Sequence, residues 1–133
     1  YGGSAIVIDL GTISKNLVID KDGTFIGTSF FPGVQICVEV MRERTAQLPA
    51  FKITSKPEKM IGNDKVSAMQ TGVYYGTVCG IKSLVEEIEK SVGYPLMRIL
   101  TGGNARVIGE SLSEFIIDLD FVLKGIYFLY IGK

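Results

Sequence analysis

The side chains best suited to phosphate chemistry lie near the start of the chain, where residues 8–15 read Ile-Asp-Leu-Gly-Thr-Ile-Ser-Lys. Asp9 ends a short apolar run, and a carboxylate at the end of a strand can hold a magnesium ion through water. Gly11 lets the backbone approach a phosphate, and Thr12 and Ser14 offer N–H and O–H donors. An ordinary exit from a strand into a turn has the same pattern, so both interpretations stay open.

A second candidate segment is Thr-Gly-Gly at residues 101–103, which follows an apolar run and precedes a helical pattern. A strand that passes through glycines into the start of a helix is a common geometry for binding nucleotide phosphates. A tight turn that needs glycine only for steric reasons has the same sequence. The candidate phosphate and nucleotide contacts of the two segments are Asp9, Gly11, Thr12, Ser14, Thr101, Gly102 and Gly103, with Asp9 as the candidate metal ligand.

The composition excludes several kinds of active site and partner. The 133 residues include no histidine, which excludes a serine–histidine triad and histidine metal ligands. Two cysteines, Cys37 and Cys79, are too few for a structural zinc site, and we expect both to be buried thiols. The 14 basic and 14 acidic residues balance, so the charge favours neither nucleic acid nor an anionic membrane as partner. No apolar run reaches the roughly 18 residues of a membrane span, and we expect a cytoplasmic protein.

The elements that must position these residues begin as strands and continue as alternating helices and strands. Three apolar runs within residues 5–31 are separated by turns, and the Asp-Gly pair at 22–23 is a strong hairpin signal. A helical period starts at residue 34 and includes Val40 on its apolar face. Later segments predict an edge strand at 51–54, a long helix at 66–92, a strand at 97–101, a helix at 105–112, a strand at 115–117 and a last helix at 124–131, for which a strand is the alternative.

This order predicts one α/β domain over residues 1–133. Three consecutive antiparallel strands followed by alternating helices and strands are typical of the ribonuclease-H-like fold, the fold of an actin-like lobe. At 133 residues the chain can bury a core without disulfides or metals.

Two apolar features predict a surface for self-association. The first half of the long helix has a glycine at every fourth position, which costs helix stability and is best explained by close packing against another backbone. The stretch 121–131 is apolar apart from Lys124 and Gly125. Exposed patches of this kind usually bind a partner. We therefore predict a symmetric homodimer, with candidate interface residues Gly72, Gly76, Gly80, Phe121, Tyr127 and Phe128.

Over nearly its whole length the chain resembles the second lobe of the type III pantothenate kinases, within the sugar kinase, chaperone ATPase and actin superfamily. The resembling segments follow one another in the family's order. They are Ala-Ile-Val-Ile-Asp-Leu-Gly-Thr at 5–12, Phe-Pro-Gly-Val at 31–34, Arg-Thr-Ala-Gln-Leu-Pro at 44–49, Met-Gln-Thr-Gly at 69–72 and Thr-Gly-Gly at 101–103. The Arg-Thr-Ala and Met-Gln-Thr-Gly segments make the resemblance specific.

The resemblance implies ATP and magnesium as cofactors, with phosphate bound by the aspartate–glycine hairpin and the nucleoside beside the Gly-Gly turn. The family's proposed catalytic aspartate belongs to a Gly-x-Asp-Arg motif that would precede Tyr1 and has no counterpart here. After residue 12 the family usually continues Ala-Thr-Thr-x-Asp, whereas residues 13–17 read Ile-Ser-Lys-Asn-Leu. Lys65 stands where the family usually has a threonine near its substrate and dimer contacts.

Two functions remain open on the sequence. The first is an isolated or remodelled lobe, diverged or deliberately redesigned, that forms a homodimer and lacks pantothenate kinase activity alone. The second is a nucleotide-binding phosphotransferase or weak ATPase whose site forms between two copies of the lobe. We favour the first, because the catalytic aspartate and half of the phosphate clamp are missing.

Overall fold

The computed structural model describes residues 1–45 and 47–132. Their strands and helices follow the order β1 (Ala5–Leu10), β2 (Ile13–Ile19), β3 (Phe25–Pro32), α1 (Val34–Arg44), α2 (Lys65–Val92), β4 (Met97–Thr101), α3 (Ala105–Gly109), β5 (Ile116–Ile117) and α4 (Phe121–Tyr130). None of these helices combines the length and the apolar character needed to cross a membrane.

The strands form one mixed sheet in the order β3-β2-β1-β4-β5. The first three strands pair antiparallel, and β4 is parallel to β1 and β5 to β4. The β2–β3 turn forms as its sequence predicts, because Gly23 adopts a φ of 81° and Asp20 Oδ1 accepts hydrogen bonds from the backbone N–H groups of Asp22 and Thr24. The predicted ribonuclease-H-like fold is confirmed.

The alternation of side chains along β1 gives the sheet two different faces. Ile6, Ile8 and Leu10 belong to the main core, which also contains buried residues of α1, α2 and α3. We call this side of the sheet the helix face. Val7 belongs to a smaller cluster on the other side, against which Phe121 of α4 packs, and we call that side the α4 face.

The long helix α2 begins and ends where local chemistry dictates. Asp64 caps its first turn, since the Asp64 carboxylate accepts a hydrogen bond from the Ser67 backbone N–H and the Ser67 hydroxyl accepts one from the Asp64 N–H. Hydrogen bonding to the carboxylate from the backbone and then the side chain of Ser67 lowers the pKa of Asp64 below its ordinary value. Gly93 ends the helix in the left-handed conformation, at a φ of 86°.

The predicted edge strand at residues 51–54 is wrong, because the backbone there pairs with no strand. Phe51 and Ile53 nevertheless pack against the main core. The alternation of apolar and polar residues therefore reflects two side chains that face the core. It does not show that the backbone of this segment pairs with a neighbouring strand.

The other differences concern helix ends and exposure. The third helix ends at Gly109, before the predicted residue 112. The last element is a helix and not the alternative strand, and it begins at Phe121, before the predicted residue 124. Val40 is 48% exposed, since Val34 and Val38 are the buried positions of α1. The prediction of two buried thiols is wrong, because Cys79 is exposed and Cys37 half-buried. Burial raises the pKa of the Cys37 thiol.

Candidate functional site

The two glycine-containing turns meet at the carboxyl ends of the parallel strands β1 and β4. Asp9 lies opposite Thr101 in this register. A Cβ on Gly102 would lie only 2.6 Å from Asp9 Oδ1 and 2.6 Å from the Leu10 nitrogen, and Gly102 has a φ of 97°. The Asn104 N–H also donates a hydrogen bond to the Leu10 carbonyl, at 3.1 Å. Glycine is therefore required at position 102 for the second turn to lie against the first.

The start of α1 holds the first turn from the other side. A Cβ on Gly33, the N-cap residue of α1, would lie 2.2 Å from the Thr12 carbonyl oxygen and 2.6 Å from that of Gly11. The Thr12 side chain is exposed, and Gly11 is half-buried. Sequence reasoning did not select Gly33 for the site, although the Phe-Pro-Gly-Val segment that contains it was one of the resembling motifs.

A charged pair lies beside these turns on the α4 face. Lys15 pairs with Asp9 across the β1–β2 register, and its Nζ lies 3.8 Å from Asp9 Oδ2. The two side chains are 43% and 22% exposed, respectively. Both line a cavity of about 260 Å³ with Thr101, and the rest of its wall is largely apolar, formed by Val7, Leu17, Ile19, Phe121, Val122 and Gly125. Sequence reasoning missed Lys15 as a site residue.

Ser14 is separated from the other candidates. It lies opposite Leu10 in the hairpin, so its side chain is on the helix face, and only 1% of it is exposed. Within residues 1–45 and 47–132, its Oγ has no hydrogen-bond partner. The structure thus brings together Asp9, Gly11, Thr12, Thr101, Gly102 and the adjacent Gly103, and places Ser14 on the other face of the sheet from Asp9.

A buried carboxylate anchors α4 next to this cavity. Asp118 follows β5, and its carboxylate accepts hydrogen bonds from Lys124 Nζ at 2.8 and 2.9 Å and from the Tyr1 hydroxyl at 2.7 Å. The bonds from Lys124 and then Tyr1 hold the pKa of Asp118 below its ordinary value. The sequence signal was that Lys124 is the one charged residue in an apolar stretch.

The candidate interface residues belong to opposite sides of the sheet. Around Gly72, Gly76 and Gly80, the space that a Cβ would occupy is open. These glycines are on α2, which packs on the helix face, whereas Phe121 belongs to the α4 face. Tyr127 and Phe128 are 59% and 57% exposed. A single flat interface would therefore cover one of the two sets.

A model of the type III pantothenate kinases matches residues 1–87. The chain belongs to the type III pantothenate kinase family. Type III pantothenate kinases from Agathobacter rectalis, Dehalococcoides mccartyi and Acidiphilium cryptum are 34%, 35% and 36% identical to it and are covered over 50%, 49% and 48% of their own lengths. The matches include 98%, 98% and 97% of this chain, which spans about half the length of these curated relatives.

Solved structures support the fold of this type III pantothenate kinase lobe. A conserved Campylobacter jejuni protein described as a Baf family transcriptional activator matches with a TM-score of 0.70 at 17% identity, over 93% of this chain and 55% of that one. The Alp12 filament structure matches with a TM-score of 0.58 at 16% identity, over 88% and 42% of the two chains. At these identities the likeness concerns the fold alone.

Membership of a kinase family implies ATP and magnesium as ligands. The residues at the site can therefore be compared with those that a magnesium ion requires. The described residues contain no group of three His, Cys, Asp or Glu side chains that could hold a metal ion. Among the described residues, Asp9 is the one acidic residue that lines the 260 Å³ cavity, and Lys15 lies beside it. Mg²⁺ is commonly bound through one or two carboxylates together with the phosphates of its nucleotide. The residues therefore fit a magnesium ion that arrives with a nucleotide, and they do not form a site for magnesium alone.

Proposed function

We propose that this lobe forms half of an ATP-phosphate site of the type III pantothenate kinase kind. The observation that carries the proposal is the contact between Gly102 and Asp9, which joins two glycine turns at the carboxyl ends of adjacent parallel strands. Ligands of open α/β sheets bind outside this edge. The family match, which covers residues 1–87, supports the nucleotide as the ligand.

The residues at this edge would act by position and charge. The backbone at Gly11 and the exposed Thr12 would donate hydrogen bonds to phosphate oxygens, and Gly102 and Gly103 would flank the adenosine. Asp9 would hold, through water, a magnesium ion that neutralises phosphate charge. Phosphoryl transfer depends mainly on such positioning and electrostatic stabilisation, so a lobe with these groups can bind nucleotide without completing the transfer.

Isothermal titration calorimetry with ATP and Mg²⁺ tests the proposal. We expect wild type to bind, and Asp9→Asn to weaken binding about tenfold, as losing one charge-assisted contact does. Asp22→Asn is the matched control, because Asp22 is an exposed aspartate in the β2–β3 turn of the same hairpin region. The absence of heat at millimolar ATP with folded protein, or equal losses in the two variants, would contradict the proposal.

We further infer that the 133-residue chain does not phosphorylate pantothenate by itself. Asp9 is the one acidic side chain among the described residues that line the cavity, and it faces Lys15, so no second carboxylate is placed to accept a proton there. Phosphopantothenate formed from ATP and pantothenate by the purified chain would refute this inference.

A homodimer formed through α4 is our second proposal. The ten residues of α4 include no buried one, and Leu123, Leu129 and Tyr130 are 65%, 82% and 87% exposed. Apart from Lys124, the side chains of α4 are apolar or aromatic. Such a helix needs cover, and a second copy of the same helix can supply it in an isologous contact. Light scattering should give twice the chain mass at micromolar concentration, and a monomer would exclude the dimer.

The thiols favour a reducing compartment, and we place the protein in the cytoplasm. Cys37 and Cys79 are both free, and Cys79 is exposed. Exposed free thiols are typical of proteins kept under reducing conditions.

A further inference from the structure

We propose that Lys15 supplies part of the positive charge of the phosphate site, so that ATP still binds there when no divalent cation is present. This inference rests on the proposed nucleotide site and specifies which group of this chain neutralises the phosphates. It concerns a residue that the sequence motifs did not single out.

The register of the β1–β2 hairpin places Lys15 next to Asp9, at the end of the sheet where the two glycine turns meet. From there its ammonium group could bind a phosphate held by the turns. Lys15 and Asp9 are paired on the α4 face, and both line the cavity with Thr101. The Nζ–Oδ2 distance of 3.8 Å is at the long end for an ion pair, and 43% of the lysine side chain is exposed. Such pairs contribute little, so the ammonium group can turn from Asp9 to an incoming phosphate at small cost.

The charge balance of the site also favours this role. Asp9 alone would repel a polyphosphate, which would then need a divalent cation to bind. With Lys15 beside it, the pair is neutral before the nucleotide arrives. A lysine ammonium carries three donors and a compact charge, and lysine is a common phosphate ligand in proteins. Lys15 therefore offers at this position part of what a metal ion would otherwise supply.

Calorimetry with ATP in EDTA and in excess Mg²⁺ tests the inference on four proteins: wild type, Lys15→Thr, Lys15→Arg and Lys21→Thr. We expect wild type to bind ATP in both conditions, and about tenfold more tightly in Mg²⁺, the same factor expected for Asp9→Asn. Lys15→Thr should lose about tenfold or more of its affinity in EDTA and less in Mg²⁺, as expected for a charged hydrogen bond. Lys15→Arg keeps the charge and should behave as wild type.

Lys21→Thr is the matched control, because it removes the same charge from the β2–β3 turn, at the opposite end of β2 from the site. An equal loss in this variant would show a general charge effect and overturn the inference. A wild type as dependent on Mg²⁺ as Lys15→Thr would overturn it as well, while leaving the proposed function intact. If wild type binds ATP in neither condition, the proposed function itself fails.

Discussion

Two adjacent glycines, Gly102 and Gly103, occupy opposite environments at the candidate site. A Cβ on Gly102 would meet Asp9 and Leu10, whereas a Cβ on Gly103 would meet nothing within 4 Å. Gly102 also has a φ of 97°, a conformation that L-residues rarely adopt. The sequence motif Gly-Gly treats the two residues alike, and the structure separates them.

We expect Gly102→Ala to lower the free energy of unfolding by about 2 kcal/mol or more, because backbone strain and overpacking each cost about 1–3 kcal/mol. Gly103→Ala is the control and should stay within about 0.5 kcal/mol of wild type, as open surface positions do. Urea unfolding monitored by circular dichroism measures both. Equal effects of the two substitutions would mean that the turns do not meet as described.

The sequence contained enough information to place most of the site. Asp9 and the Gly-Gly turn were predicted from local patterns, and the parallel pairing of β1 with β4 brings them together. Ser14 was placed in the same group because the residue types were considered without the face of the sheet on which each position lies. In an antiparallel hairpin, alternate residues face opposite sides, so a pairing of Asp9 with Lys15 puts Ser14 on the other face. The missed residue, Lys15, follows from the same rule.

The end of α2 is tied to β4 by one glutamate of its polar side. The helical period of the sequence puts Glu86, Glu87, Glu89 and Lys90 on one polar side of α2, where all four would face solvent. Glu89 instead accepts hydrogen bonds from the Leu96 N–H at 3.0 Å and from Arg98 Nη2 at 2.9 Å. In the part of the chain that the structure describes, Glu87 pairs with Lys90 alone, and both of those side chains are 70% exposed. The period of a helix indicates which side is polar, but not which polar residue meets a neighbouring strand.

We expect Glu89→Gln to cost about 1 kcal/mol at neutral pH, because it weakens hydrogen bonds to a charged partner at a partly exposed site. Glu87→Gln should be neutral and serves as the control. The hydrogen bond from Arg98 lowers the pKa of Glu89. The stability it contributes is therefore fully present above the ordinary glutamate pKa of about 4.3 and is lost as the pH falls through the lowered value.

Urea unfolding at about pH 7 and about pH 3 distinguishes the two glutamates. The difference in unfolding free energy between wild type and Glu89→Gln should shrink at the lower pH. A difference that stays constant with pH would show that Glu89 contributes through packing and not through its charge.

The order of elements was predictable because each has a strong local signal. The Asp-Gly turn, the apolar periods and the Gly-Tyr-Pro stop after the long helix all agree with the fold. The sequence predicted that α4 begins at residue 124, whereas it begins at Phe121. The prediction was late because Phe121 and Val122 resemble residues at the end of a strand. The anchor that fixes the start of α4 is Asp118, which lies just before the helix and accepts hydrogen bonds from Lys124 in the first turn. The apolar and helical periods of the sequence do not predict a side-chain contact of this kind.

The whole molecule has one well-covered face and one that is poorly covered. The helix face carries α1, α2, α3 and the main core, whereas on the α4 face a small cluster meets α4 through Phe121. The apolar excess of the composition is concentrated in this last helix, whose side chains remain exposed. The chain spans about half the length of its curated relatives. In the proposed dimer, a second copy supplies the surface that covers this helix.

We expect Phe128→Glu to convert the proposed dimer to a monomer in light scattering at micromolar concentration. Phe128 is 57% exposed on α4, and a charge placed in an apolar isologous contact occurs twice and would be desolvated in both copies. Ile61→Glu is the control, because Ile61 is 82% exposed and precedes α2, away from α4. If Ile61→Glu dissociates the dimer and Phe128→Glu does not, the contact lies on the side of α2, where the glycine stripe is open.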